Sequence, residues 1–298
     1  MLSEKQVNHY AQASSIDSLE AERDIVLTYV LKILADQASL LLRHLAFKGG
    51  TCLKKIYFGK TGRFSMDLDF TCLHARRDRF KSELKSVLNN REHYGISFAI
   101  EEEYERSQDS YCAIVAYSHD WNSARFEIEV SFREHPILPV TKLVLVDELY
   151  FRYCGFAPFK VPCLQRDEVL AEKIRASFQR IRARDLFDLY LFATTPGAYD
   201  QNKVKALAVL KCWNARDPFE PEKLMEKITG EKYDWDDLRR LVRPHMLPIH
   251  KKIVDSVVAH YSYLNDLDDD LTQIVKDSKA HRKVALVKKT IDELTSKQ

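Results

Sequence analysis

The stretch "RFSMDLDFTC", residues 63–72, leaves the chain little choice of local structure. Ser65, Asp67, Asp69 and Thr71 alternate with Phe64, Met66, Leu68 and Phe70, a period of two that puts each set on its own side of a β-strand. The apolar side needs a core. The other side then presents two carboxylates roughly 6–7 Å apart at Cα. At about 6 Å and an effective dielectric near 20, two such charges repel by roughly 2–3 kcal/mol, so the pair calls for a cation.

Just upstream, "HLAFKGG" is an apolar run closed by two of the chain's eight glycines, and "TCLKKIYF" follows as a short helix with Leu53, Ile56 and Tyr57 on one side. This reads as strand, turn, helix. Glycine at such a turn permits positive φ and close approach of a ligand to the backbone, and a helix start directs N–H groups toward an anion. Gly49, Gly50 and Thr51 are therefore candidates to grip a triphosphate, and Lys54 joins them as a nucleotide-binding candidate. Mg²⁺ favours carboxylate oxygens together with waters and substrate phosphates, and Mn²⁺ suits the same donors. A third carboxylate is expected from a neighbouring strand. In "RFEIEVSF", Glu127, Glu129 and Ser131 share one face against Ile128 and Val130. Glu129 is the preferred third metal ligand beside Asp67 and Asp69, with Glu127 as the alternative.

Further strands are expected at "ISFAIEEEY", "YCAIVAYS" and "KLVLVDELYF", the acidic strand spans "ARFEIEVSF", and a charged helix is expected near residues 76–89 and a long amphipathic helix after the Asp17/Glu20 capping pair. From "RDEVLAEKIRASFQRIRARDLFDLYLFA" onward the strand signal fades and helical periodicity continues. The expected division is a sheet-containing domain over 1–163 and a helical domain over 164–298. A net charge of +2 neither requires nor excludes a nucleic-acid partner. Six cysteines without a CxxC pair, in a chain of 298 residues, read as reduced thiols rather than a disulfide framework. The histidines lack zinc-ligand spacing, and neither a signal peptide nor a membrane-spanning apolar run is visible. A cytoplasmic location is expected.

The Gly-Gly-Thr turn, the "RFSMDLDF" strand and the acidic strand that follows resemble the DNA polymerase β-like nucleotidyltransferase superfamily. "FKGGTCLKKIY" and "RFSMDLDF", together with "LAEKIRASFQRIRARDLFDLYLF", resemble more narrowly the AbiEii-type nucleotidyltransferases, which include abortive-infection toxins and the MenT toxins of type IV toxin–antitoxin systems. The loop between Thr51 and Asp67 is longer than in the compact form of the motif. The resemblance implies metal-dependent transfer of a nucleoside monophosphate from an NTP, with the tRNA 3′ end as acceptor in the MenT relatives. It implies Asp67 and Asp69 as metal ligands, Gly50 and Thr51 on the triphosphate, an essential lysine at Lys173, and a later aspartate at Asp185 or Asp188. Ser65, a further nucleotide-binding candidate, occupies the place at which a cognate antitoxin phosphorylates some relatives.

The second motif has its own physics. If residues 167–184 form one helix, Lys173, Arg180 and Arg184 lie close to one stripe and Val169, Leu170, Ile174, Phe178 and Ile181 form a separate apolar band. One face packs and the other offers cations to phosphate or RNA. The bland reading of "RARDLFDLY" is an Arg184–Asp188 pair on an exposed helix. The fold expected is α/β (α+β): a polymerase β-like core with a mixed sheet plus a C-terminal helical domain that closes the cleft and meets the acceptor. The rival functions are transfer to a protein or a small molecule such as an antibiotic, and non-catalytic binding of nucleotide or RNA.

Overall fold

Strands with one apolar and one polar face must stack the apolar face on helices, and here eight of them form a single mixed sheet. In chain order they are β1 (Leu45–Lys48), β2 (Asp67–Cys72), β3 (Arg91–His93), β4 (Ile96–Tyr104), β5 (Ser110–His119), β6 (Asn122–Ser131), β7 (Thr141–Val144) and β8 (Lys160–Cys163). Across the sheet the order is β3-β4-β5-β6-β2-β1-β8-β7. The β2–β6 and β1–β8 pairs are parallel and the other neighbours antiparallel. The computed structural model describes residues 2–36, 41–74, 76–197 and 199–296. They divide into two compact units: 1–136, 140–164 and 240–244 form the first, and 137–139, 165–239 and 245–298 the second.

In the first unit, Phe47, Leu68, Phe70, Tyr111, Ala113, Val115, Ile128 and Val130 are buried on one face of the sheet. They share a core with helices α1 (Glu4–Ser14) and α2 (Ser18–Asp36), and with Phe80 and Leu84 of a later helix at Arg77–Leu88. The helix expected to open the fold as an amphipathic element is α2, and it is enclosed on nearly every side from Ala21 to Leu34. Its buried charges, Glu22 and Asp24, therefore need partners within the protein.

The strand read from "KLVLVDELYF" is shorter than expected. β7 ends at Val144 because the chain then leaves the sheet: the Val146 N–H donates to the Lys55 carbonyl at 2.7 Å, and Glu148 turns inward to Lys54. Residues 63–66 of the alternating stretch approach β2 as a loop, fastened by a 2.7 Å bond from the Phe64 N–H to the Leu241 carbonyl. Leu241 is 2 % exposed and belongs to the same core, so residues 240–244 return to the first unit after the chain has built most of the helical one.

The second unit is helical, and its first two long helices are Arg166–Gln179 and Ala183–Thr194. The single helix considered for 167–184 is not formed. Arg180 adopts extended backbone (φ −140°, ψ 162°) and the chain turns at 180–182 before the next helix begins. The common stripe for Lys173, Arg180 and Arg184 is lost with it.

Candidate active site

The glycine pair is explained by what lies against it. Gly49 has φ +76°, and a Cβ there would fall on the side chain of Asp69, while a Cβ on Gly50 would fall on the guanidinium of Arg63. Only a residue without a side chain lets a carboxylate from β2 lie directly on the turn. Thr51 is 1 % exposed, and its hydroxyl donates to the Asp67 carbonyl at 2.5 Å, tying the turn to the first aspartate of the strand. The helical stretch then runs through Gly49–Cys52 and Leu53–Phe58. Ser65 is buried in the loop that enters β2.

Parallel pairing of β2 with β6 sets Asp67 opposite Glu127 and Asp69 opposite Glu129. Neighbouring strands lie about 4.8 Å apart, so four half-buried carboxylates share one patch of the polar face. The row through Asp69 extends across five strands: Lys48, Asp69, Glu129, Cys112 and Tyr104 are successive register partners. Arg106, from the turn after β4, reaches both glutamates. One guanidinium nitrogen lies 2.7 and 2.8 Å from the two Glu127 oxygens, and the other meets Glu129. Tyr104 donates its hydroxyl to Glu127 at 2.6 Å, and this bond, ahead of burial, pushes the phenol up to about 12.

The carboxylates fit a hard divalent cation. Asp67, Asp69 and Glu129 supply oxygen donors from two adjacent strands beside a glycine turn, the donor type that Mg²⁺ and Mn²⁺ take. Donor atoms of Cys112, Glu127 and Glu129 also lie within 4.8 Å of one another. That trio suits Mg²⁺ less well, because burial and then the two glutamates push the Cys112 thiol up to about 11, and sulfur is a soft ligand. All six cysteines are buried.

Lys54 lies elsewhere. It is 1 % exposed, 3.0 Å from Glu148 and 3.5 Å from Asp24, with its ammonium over the Phe64 ring. Lys55 joins the same cluster, bonded to the Asp24 carboxylate at 2.7 Å and to the Thr28 hydroxyl at 2.7 Å. Tyr10 donates to Asp24 at 2.8 Å. Two lysines thus meet two carboxylates out of water, midway along the helical stretch that begins with Gly49. Sequence reasoning missed Lys55, Asp24 and Glu148, and also Arg63 and Arg106. Their pairings join segments distant in the chain, and no local period marks them.

In the helical unit, Lys173 lies 3.1 Å from Asp185 and 2.7 Å from Asp188. On one continuous helix, Lys173 and Asp185 would sit about 18 Å apart along the axis. The turn at 180–182 is what brings them together. Both aspartates left open by spacing therefore hold the lysine. Arg180 pairs with Asp185 at 2.7 Å, and Arg184 reaches Asp237 at 2.9 Å rather than Asp188.

The mixed sheet brings Asp67, Asp69 and Glu129 together beside a glycine turn, and the class of protein this fold belongs to is the nucleotidyltransferases. Residues 32–260 match the family model described as nucleotidyl transferase AbiEii toxin, type IV TA system, and the chain belongs to this family of nucleotidyltransferase toxins. The fold is similar to that of MenT4, a nucleotidyltransferase toxin from Mycobacterium tuberculosis, with a TM-score of 0.82 and 24% identity over 99% of this chain and 100% of that one. JHP933 from Helicobacter pylori gives a TM-score of 0.50 and 17% identity over 91% and 99% of the two chains. No curated protein matches the chain. The family generally uses a divalent metal, and a type IV system implies a nucleotide substrate and a cognate antitoxin. Among the described residues no helix is long and apolar enough to cross a membrane.

Proposed function

We propose that this enzyme transfers a nucleoside monophosphate from an NTP to the 3′ end of tRNA, as the toxin of its pair. The observation that carries the proposal is the register of β2 and β6, which sets Asp69 beside Glu129 and against Gly49. In this reading Asp67, Asp69 and Glu129 hold Mg²⁺ or Mn²⁺, which when bound neutralises charge on the triphosphate and the departing pyrophosphate. Gly49 and Gly50 let Asp69 and Arg63 lie against the turn assigned to the polyphosphate, and Thr51 keeps that turn fastened to β2. The acceptor hydroxyl attacks the α-phosphorus, its proton passes to Glu129, and the bond to pyrophosphate breaks. Positioning and charge neutralisation supply most of the rate, as in phosphoryl transfer generally.

Lys173 is assigned the family's essential cation, held in place by Asp185 and Asp188. Arg180 and Arg184 are proposed to steer phosphate or RNA backbone, and the helical unit to meet the acceptor. Lys54 is left out of the nucleotide contacts because Glu148 and Asp24 hold it within the protein.

The deciding experiment incubates the protein with each of four α-labelled NTPs, total tRNA and cell protein, with Mg²⁺, Mn²⁺ or a chelator. Label should enter tRNA only, and only with metal. Label confined to protein would replace the acceptor, and binding without pyrophosphate release would remove the catalytic reading. Toxicity is tested separately: expression of wild type should arrest bacterial growth and Asp67→Ala should not.

A further inference from the structure

The geometry points to Arg106 as a positioning residue that competes with the divalent cation for Glu129 while Glu127 stays fixed. This inference rests on the metal-binding reading of Asp67, Asp69 and Glu129. The two glutamates are held unequally. Glu127 is 13 % exposed and keeps both oxygens engaged, one by Arg106 alone and the other by Arg106 and the Tyr104 hydroxyl. Glu129 is 28 % exposed and meets only the other guanidinium nitrogen, through one of its oxygens. If the guanidinium moves, Glu127 retains Tyr104, whereas Glu129 is released beside Asp69.

Arg106 is also placed to move. It lies in the turn between β4 and β5, outside the sheet ladder, and its side chain is 52 % exposed. A half-exposed ion pair contributes little net stability, because water and side-chain entropy offset much of the Coulomb attraction. A divalent ion brings twice the charge and can take Glu129 and Asp69 together. Arg106 thereby occupies Glu129 until that ion arrives, and sets the concentration at which it binds. When displaced it stays near its Glu127 partner.

The test is Mn²⁺ titration of the full-length protein without nucleotide, read by calorimetry and by the loss of free Mn²⁺ signal in electron paramagnetic resonance. Arg106→Ala should bind Mn²⁺ about five- to tenfold more tightly than wild type. Arg106→Lys, a single point charge that does not bridge both glutamates, should fall between them. Tyr104→Phe should change the affinity less than about twofold, since Tyr104 holds the glutamate that is not exchanged. Equal or weaker Mn²⁺ binding by Arg106→Ala with a native circular dichroism spectrum would overturn the inference. Should that variant not fold, the Arg106→Lys comparison decides it in the same way. Asp69→Ala separates the two levels. Wild type that binds no Mn²⁺, or binds it unchanged in Asp69→Ala, sinks the metal site itself, whereas an Asp69-dependent site indifferent to Arg106 sinks only the competition.

Discussion

Asp24 and Asp69 both meet one helical stretch, residues 49–58: Asp69 lies against its first residue and Asp24 holds Lys54 and Lys55 at its middle. Asp24 is 1 % exposed and meets Lys54, Lys55 and the Tyr10 hydroxyl, with Glu148 completing a cluster of two cations and two anions. Asp69 is half-buried among carboxylates from the next strand, with Arg106 engaging the glutamates. The first cluster is balanced, which is the condition under which charges are tolerated away from water. The second gathers four half-buried carboxylates on one face of the sheet. Depth of burial, more than residue type, separates the acidic group that holds the turn from the one assigned to chemistry.

Removing each aspartate should break this comparison in opposite ways. Asp69→Ala should lower nucleotide incorporation by on the order of 10³-fold while its urea midpoint stays close to wild type. An active, metal-dependent Asp69→Ala enzyme would contradict the assignment. Asp24→Ala leaves Lys54 and Lys55 buried with one carboxylate and should destabilise the fold by about 3–5 kcal/mol in urea unfolding. A loss below about 1 kcal/mol would mean that water reaches the cluster.

Gly49→Ala tests the contact at the start of that stretch. The positive φ disfavours any side chain by about 1–2 kcal/mol, and the methyl must displace the Asp69 carboxylate. Misplacement on that scale should reduce incorporation by about 10²-fold. An enzyme of wild-type activity would show that Asp69 does not need its contact with the turn.

The smallest effect is in acid. Burial alone would raise the Asp24 carboxyl, but Lys54 and Lys55 outweigh it and hold the group at about 2, below its ordinary 3.8. A depressed carboxyl contributes stability that is complete above the unfolded value and is lost as pH falls through the folded one. Asp24 should therefore supply ~2 kcal/mol at neutral pH and lose it between about pH 4 and pH 2. Urea unfolding of wild type and Asp24→Asn across that window should converge as pH falls. Parallel curves would remove Asp24 as the titrating group.

Much of the sheet was legible because its strands are long and alternate. "ISFAIEEEY" is β4 from end to end, and β5 and β6 run within two residues of their expected limits. β3 and β8 were not foreseen: three and four residues show no period, and Pro162 argues against a strand. The gathering of Asp67, Asp69, Glu127 and Glu129 on one face followed from two alternating segments once those strands paired. Which strands pair depends on long-range packing, so Arg106 and the Asp24 cluster stayed hidden. The break at 180–182 was hidden for a related reason. "SFQRIRARDL" has no proline or glycine, and the turn is favoured by the burial of Lys173 between two aspartates rather than by local propensity.

The return of residues 240–244 has a practical consequence for dissecting the molecule. A fragment ending at Leu164 would keep every strand yet strip the Phe64 amide of its acceptor and leave a hole where Leu241 packs. The loop that delivers Asp67 to its strand is thus clamped by a peptide synthesised some 180 residues later, since Arg243 also donates to the Lys60 carbonyl. During translation the aspartate pair would reach its final setting only after most of the helical unit had emerged from the ribosome, a natural delay for an enzyme whose family poisons its own cell.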